Sequence, residues 1–252
     1  MLKIGGSVGA ETDAALDAVV ALNDAGQPVV VVHGGGPLVS EWADRLGMET
    51  RFVRGSRVTD PETRDLALGV LGGLANGRIV ATLIGRGVPA VGLTGIDGGM
   101  LRAEREDAEM GLVGRVALVD SALLEELVDA GRVPVVAPAA LDREGGEILN
   151  VNGDAAAGAI AASLGARLLV FVTDVPGVRG KDGRVIGRLD ADRARSLVDD
   201  GTIEGGMLPK VEACLIAAAA GCRAAIVATR GIDSVERLLA GEDVGTVFEA
   251  AA

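Results

Sequence analysis

Two lysines near opposite ends of the chain each stand beside a pair of glycines: Lys3 in KIGGS (residues 3–7) and Lys210 in GGMLPK (residues 205–210). Glycine there lets backbone N–H groups approach an anion without a side chain in the way, and a helix N-terminus adds a positive dipole end. A third glycine run, His33-Gly34-Gly35-Gly36-Pro37, follows the most apolar stretch of the sequence, where a tight strand-to-helix turn needs one glycine rather than three. Arg57, in RGSRVTD (residues 54–60), has the planar fork that grips a carboxylate in two places. LNVNGD (residues 149–154) sets Asn150 and Asn152 two apart, on one face of an extended segment, ahead of Asp154. Asp154 reads either as a helix N-cap or as a carboxylate that positions lysines. FVTDVPGV (residues 171–178) offers a turn able to cradle an adenosine. Lysines, glycine loops and one acid suit phosphoryl transfer, which needs positioning and charge neutralisation more than covalent help. A carboxylate acceptor is already ionised at neutral pH, so no strong base is required. Taken alone, Lys3 reads equally well as a terminal residue in solvent, and Arg57 as a surface arginine.

Other chemistries are excluded by order or by supply. Gly5-Gly6-Ser7-Val8-Gly9 fits the G-x-S-x-G elbow of α/β-hydrolases, and HGGG occurs in esterase oxyanion loops. The elbow here precedes the HGGG run, and the single histidine, His33, lies within that run, so the serine has no base. His33 reads as a strand-end residue satisfied by backbone. There is no G-x-x-x-x-G-K-[ST] loop and no protein-kinase motif set. One histidine and two cysteines, Cys214 and Cys222, give no zinc spacing and read as reduced core thiols. A net charge of −12 without a Lys/Arg cluster argues against nucleic acid. Neither a signal h-region nor an uninterrupted apolar run of membrane-spanning length stands out, which gives the expectation of a cytoplasmic protein.

The elements that must hold these loops alternate. Strands are expected over residues 2–4, 28–32, 89–93, 133–137, 168–173, 223–228 and 245–248. Helices are expected over 12–25 (Thr12 as N-cap), 38–46, 61–76, 78–86, 121–129, 155–164, 207–220 and 233–239, with a hairpin from 101–105 and 112–118. With apolar residues at 49% and aromatics at only 2%, the core rests on Ala, Val, Leu and Ile. Continuous apolar strands between helices predict a three-layer αβα sandwich with a mostly parallel central sheet. The chemistry-bearing loops all follow strands, where open α/β sheets bind ligands.

In order and spacing, KIGGS, VVHGGGP, RVTD, AVGLTGIDG, GLVG, PVVAP, LNVNGD, VTDVPGV and GGMLPKV resemble the acetylglutamate kinases of the amino-acid-kinase superfamily across essentially the whole chain. The resemblance implies one αβα domain, with a lobe to about residue 150 binding the amino acid and residues 151–252 binding ATP. It implies that Lys3 and Lys210 flank the transferring phosphoryl group while Asp154 holds both lysines. Gly35, Gly36, Arg57 and Asn150 would bind N-acetyl-L-glutamate, with Arg57 on its α-carboxylate, and Asn152 joins them from its place in LNVNGD. Gly5 and Gly6 would sit on the phosphates. Thr173, Asp174, Val175, Pro176, Gly177, Val178, Glu204, Gly205, Gly206 and Met207 would line the ATP site, with Mg²⁺ arriving on ATP and no metal held by the protein itself.

The sequence also departs from that family. Gly153 stands where acetylglutamate kinases usually carry alanine, as in relatives that act on carrier-protein-linked glutamate or aminoadipate. The segment over residues 102–110, however, is short and of mixed charge rather than long and basic, which favours the small substrate. A start at the first strand and the ending GEDVGTVFEAAA imply an arginine-insensitive homodimer. A non-catalytic metabolite-binding regulator of the same fold is the remaining alternative.

Overall fold

Alternation in the first strand decides how the sheet is dressed. β1 (Leu2–Ile4) turns Leu2 and Ile4 to one face and Lys3 to the other. The computed structural model describes residues 1–5, 10–53, 56–228 and 232–249. After β1 come α1 (Ala10–Asp24), β2 (Val31–His33), α2 (Gly36–Arg45), the short strands β3 (Phe52–Val53) and β4 (Ser56–Arg57), and α3 (Pro61–Leu68). Next are α4 (Asn76–Gly85), β5 (Ala90–Thr94), β6 (Leu101–Arg105), β7 (Val113–Val119), α5 (Ala122–Asp129), β8 (Val133–Ala137), β9 (Ala139–Asp142) and β10 (Ile148–Val151). The rest comprises α6 (Gly153–Ser163), β11 (Leu168–Thr173), β12 (Arg188–Leu189), α7 (Ala191–Asp199), α8 (Leu208–Ala219), β13 (Arg223–Ala228), α9 (Ile232–Leu239) and β14 (Thr246–Phe248).

Eight strands form the central sheet in the order β12-β14-β13-β11-β1-β2-β8-β5. They run parallel except that β14 opposes β13 and β12 follows β14. Leu2, Val31, Val135 and Val170 face α1, α4 and α9, meeting Leu16, Val19, Leu83 and Leu238. Val32, Val136, Leu169, Phe171 and Ile226 face α6 and α8, meeting Ile160, Cys214 and Ala217. One core on each face gives the three-layer sandwich the alternation predicted. Cys214 and Cys222 are buried free thiols, as expected from the sequence.

Small side chains bring α6 and α8 close together. A Cβ on Gly158 would stand 2.7 Å from Ala213 O and 2.8 Å from its Cα. Asp154 lies one turn before Gly158 and Lys210 one turn before Ala213, so this contact fixes how near those two charges come. Gly158→Val should cost about 1–3 kcal/mol by overpacking, read as a lower denaturant midpoint, and should lower turnover as well.

Several elements differ from expectation. Residues 61–86 do not break into two helices but form one run over Pro61–Gly85, with π-helical turns at Gly69–Ala75 absorbing the glycines. By length and hydropathy it is the one described helix able to cross a membrane, but Val70, Leu71, Ala75, Ile79 and Leu83 are buried in the protein. α1 begins at Ala10, so Thr12 lies inside it rather than capping it. The expected hairpin, β6 with β7, joins β9 and β10 in a closed four-stranded barrel. α7, which the apolar pattern did not reveal, buries only Ala194 and Leu197 and is capped by Asp190, whose carboxylate accepts from Arg193 N at 2.8 Å.

Candidate active site

Lys3 sits on the central strand between Val32 of β2 and Phe171 of β11, both buried. A cation there must find a partner, and α6 supplies it. Asn152 caps α6, its side-chain oxygen accepting from Asp154 N at 2.7 Å and Ala155 N at 3.2 Å. The cap therefore falls to Asn152 rather than Asp154, which frees the Asp154 carboxylate for the lysines. Lys3 Nζ lies 2.5 Å from Asp154 Oδ1, and Lys210 Nζ lies 2.9 Å from Oδ2. Lys210 also donates to Gly206 O at 3.1 Å, which ties the lysine to the turn over Gly205–Met207.

Electrostatics assign the charges. Burial opposes ionisation of Asp154, yet Lys3 and then Lys210 outweigh it and hold the carboxyl below its ordinary value. Burial lowers the Lys3 pKa, Asp154 opposes this, and Lys210 adds to it. The lysines differ in access, with side chains 7% and 20% exposed for Lys3 and Lys210. Lys3 is a fixed charge in the floor, and Lys210 approaches from the solvent side. Around Lys3 the wall is glycine: Cβ atoms on Gly5 and Gly34 would come within 3.5 and 3.6 Å of Nζ. Gly6 lies outside the described residues.

The HGGG run turns directly into α2. Gly35 adopts φ 144°, and a Cβ on it would stand 2.7 Å from Leu71 Cδ2. Only glycine tolerates both. With Gly35 as N-cap and Pro37 in the first turn, the first N–H groups of α2 have no acceptor within the helix. Arg57 is 8% exposed, lies over the Phe52 ring at 4.7 Å, and donates through Nη2 to Gly36 O and Ser40 Oγ. Its Nη1 is buried without a hydrogen-bond partner among the described residues. Asn150 donates to Thr59 Oγ1 at 3.2 Å, and Thr59 donates to Arg57 O at 2.9 Å. Arg57, Gly36 and Asn150 are therefore one hydrogen-bonded group, joined by Ser40 and Thr59, which sequence reasoning did not single out.

The remaining candidates lie in two loops. Thr173 Oγ1 closes a turn on Val175, donating to its O and accepting from its N. Val178 N donates to Thr246 Oγ1; Gly177 has φ 146°, and a Cβ on it would stand 2.7 Å from the same Oγ1. Asp174 is exposed, and Val175 and Pro176 are half-buried. This loop leaves β11 beside β1, where Gly5 N meets Val172 O. Glu204, Gly205 and Gly206 are exposed and Met207 half-buried ahead of α8. Lys210 links that turn to Asp154; no described hydrogen bond joins it to the loop over residues 173–178.

His33 is 1% exposed, with Nδ1 at 2.8 Å from Gly34 O and Nε2 at 3.1 Å from Asn76 Nδ2. Gly153, the departure noted in the sequence, passes close to it: a Cβ there would stand 3.3 Å from His33 O.

Comparison with known proteins bears on the family. The model of the amino acid kinase family matches residues 1–228. An acetylglutamate kinase of Dehalococcoides mccartyi is 42% identical over 253 residues, covering 98% of this chain and 93% of the relative. One from Methanopyrus kandleri is 44% identical over 257 residues, covering 98% of each. The solved structure of smu.665 from Streptococcus mutans UA159 superposes with a TM-score of 0.84 at 25% identity, covering 99% of this chain and 98% of that one. A family match across most of the chain, and relatives this similar over nearly their whole lengths, place the chain in the amino acid kinase family.

Proposed function

We propose that this protein is an acetylglutamate kinase, transferring the γ-phosphoryl group of ATP to the side-chain carboxylate of N-acetyl-L-glutamate to give N-acetyl-L-glutamyl 5-phosphate for arginine biosynthesis. The observation that carries the reading is the clamp of Lys3 and Lys210 on the two oxygens of Asp154. It fixes two positive charges where negative charge must spread over the transferring group. Asp154, held ionised and occupied on both oxygens, orients the lysines and takes no proton. Lys3 serves from the floor and Lys210 from the solvent side.

Substrate binding falls to the group around Arg57. The unpartnered Nη1 and the neighbouring Asn150 suit an α-carboxylate, and the free N–H groups of Gly35 and Gly36 suit the reacting carboxylate. Asn152 supports the site as the cap of α6. Arg57→Ala should raise KM for N-acetyl-L-glutamate about ten- to a hundredfold with kcat little changed, the worth of a hydrogen bond to a charged group. An unchanged KM would remove Arg57 from the binding site.

ATP is assigned to the lobe after about residue 150, with Gly5 and Gly6 on its phosphates and the loops over residues 173–178 and 204–207 around its base and sugar. Among the described residues no three His, Cys, Asp or Glu side chains are grouped to hold a metal ion. Mg²⁺ is assigned to the nucleotide, as the resemblance implies, where it would neutralise phosphate charge. A homodimer, which the resemblance implies, and a cytoplasmic location, expected from the sequence, complete the reading. The close approach of Gly153 to His33 O gives that glycine a packing reason, which weakens its value as a mark of a carrier-linked substrate.

The deciding experiment is ATP turnover with Mg²⁺ and N-acetyl-L-glutamate, trapping the acyl phosphate with hydroxylamine. A hydroxamate formed with N-acetyl-L-glutamate but not with free glutamate or aspartate supports the reading. Its absence would sink it.

A further inference from the structure

The Gly34–Gly35 peptide is held by an imidazole whose proton can be placed from its neighbours. Asn76 Nδ2 faces Val135 O at 2.8 Å and Leu93 O at 3.3 Å, so that atom must be the amide nitrogen. It also faces His33 Nε2 at 3.1 Å, which must then accept. Nδ1 therefore carries the proton and donates it to Gly34 O at 2.8 Å. The ring is neutral: burial lowers its pKa to about 4, with Lys3 adding to the effect and the Gly34 hydrogen bond opposing it. Asn76 is itself fixed, because Gly92 leaves room for its Oδ1 where a Cβ would collide.

In a trans peptide the C=O and the following N–H point in opposite directions. Drawing the Gly34 carbonyl onto the imidazole thus turns the Gly35 N–H away from it, and no described residue accepts from that N–H. Gly35 at φ 144°, packed under Leu71, continues the same turn. We propose that His33 is a positioning residue: its Nδ1–H holds the Gly34 carbonyl so that the Gly35 N–H is presented to the reacting carboxylate of the substrate. The proposal rests on the substrate assignment above. It gives the only histidine of the chain a role that is neither acid–base nor merely structural.

Asparagine and glutamine separate the two ends of the ring. His33→Asn can place an amide nitrogen near Nδ1 and keep the Gly34 contact. His33→Gln reaches toward Asn76 and loses it. KM for N-acetyl-L-glutamate should stay within about threefold of wild type in His33→Asn and rise about tenfold or more in His33→Gln, with KM for ATP unchanged in both. Equal losses in the two variants, or a parallel rise in KM for ATP, would mean a structural role and overturn the proposal. A second measurement needs no variant and no turnover. Long-range proton–nitrogen correlation of the free wild-type protein should show a neutral, Nδ1-protonated ring, and an Nε2-protonated or cationic ring at neutral pH would equally overturn it. If wild type fails to phosphorylate N-acetyl-L-glutamate, the functional reading fails by itself and the tautomer still decides the loop geometry.

Discussion

Lys210→Ala should lower kcat about a hundred- to a thousandfold while leaving KM for N-acetyl-L-glutamate within about twofold of wild type. The split follows from where the ammonium acts. Lys210 reaches Asp154 Oδ2 and Gly206 O from the first turn of α8, on the side of the clamp assigned above to ATP. It touches none of the residues assigned to the amino acid, so ground-state binding of that substrate survives. On the proposed mechanism, what disappears is a positive charge beside the transferring phosphoryl group, whose charge changes only as the reaction proceeds. Stability should suffer less than activity, because Asp154 keeps Lys3 and Lys210 is the more exposed of the two lysines. Initial rates with each substrate varied in turn would check this. Wild-type kcat in the variant would remove Lys210 from the mechanism.

Asp154→Asn should damage fold and turnover together. The amide leaves two ammonium groups side by side without a counter-charge, and Lys3 is buried between Val32 and Phe171. Removing one partner of a buried ion pair costs about 3–5 kcal/mol, of which part is recovered if Lys3 releases its proton. The pH dependence identifies the cause. The folded pKa of Asp154 lies below the ordinary value of 3.8, so the unfolded chain binds the proton more readily. Its stabilisation is present above the ordinary carboxylate range and is lost as pH falls through the lower, folded pKa. Urea midpoints measured from neutral pH downward should therefore converge for wild type and Asp154→Asn in acid. A constant gap across that range would place the loss elsewhere.

Much of the frame could be read from local pattern. The strands over residues 133–137, 168–173 and 223–228 match their predicted bounds because each is a largely apolar run of strand length. The helix break expected after residue 76 did not form, since π-helical turns take up an extra residue without ending the run. The barrel of β6, β7, β9 and β10 depends on pairing between strands far apart in sequence, which periodicity does not carry. At the site, Lys3 stands out in the sequence as a charge on a strand, while Asp154 reads from the residues alone either as a cap or as a carboxylate that positions lysines. Asn152 and Asp154 are both good caps, and what decides between them is the arrival of Lys3 and Lys210 from distant parts of the chain. Thr59 and Ser40 escaped notice for the same reason: hydroxyls are common, and only tertiary structure places them on Arg57.

The position of β1 also sets an order of assembly. β1 precedes both of its neighbours in the chain and lies inside the finished sheet, with Leu2 paired to Val31 on one side and to Val170 on the other. At ribosomal rates of about 5–20 residues per second, the second neighbour follows the first by roughly 7–30 s. During that interval one edge of β1 is unpaired, and the strand's shortness and its lysine are features that keep such an edge from recruiting other chains. Placing Lys3 inside the sheet therefore ties the finished site to a long-range closure that cannot precede the synthesis of residue 172.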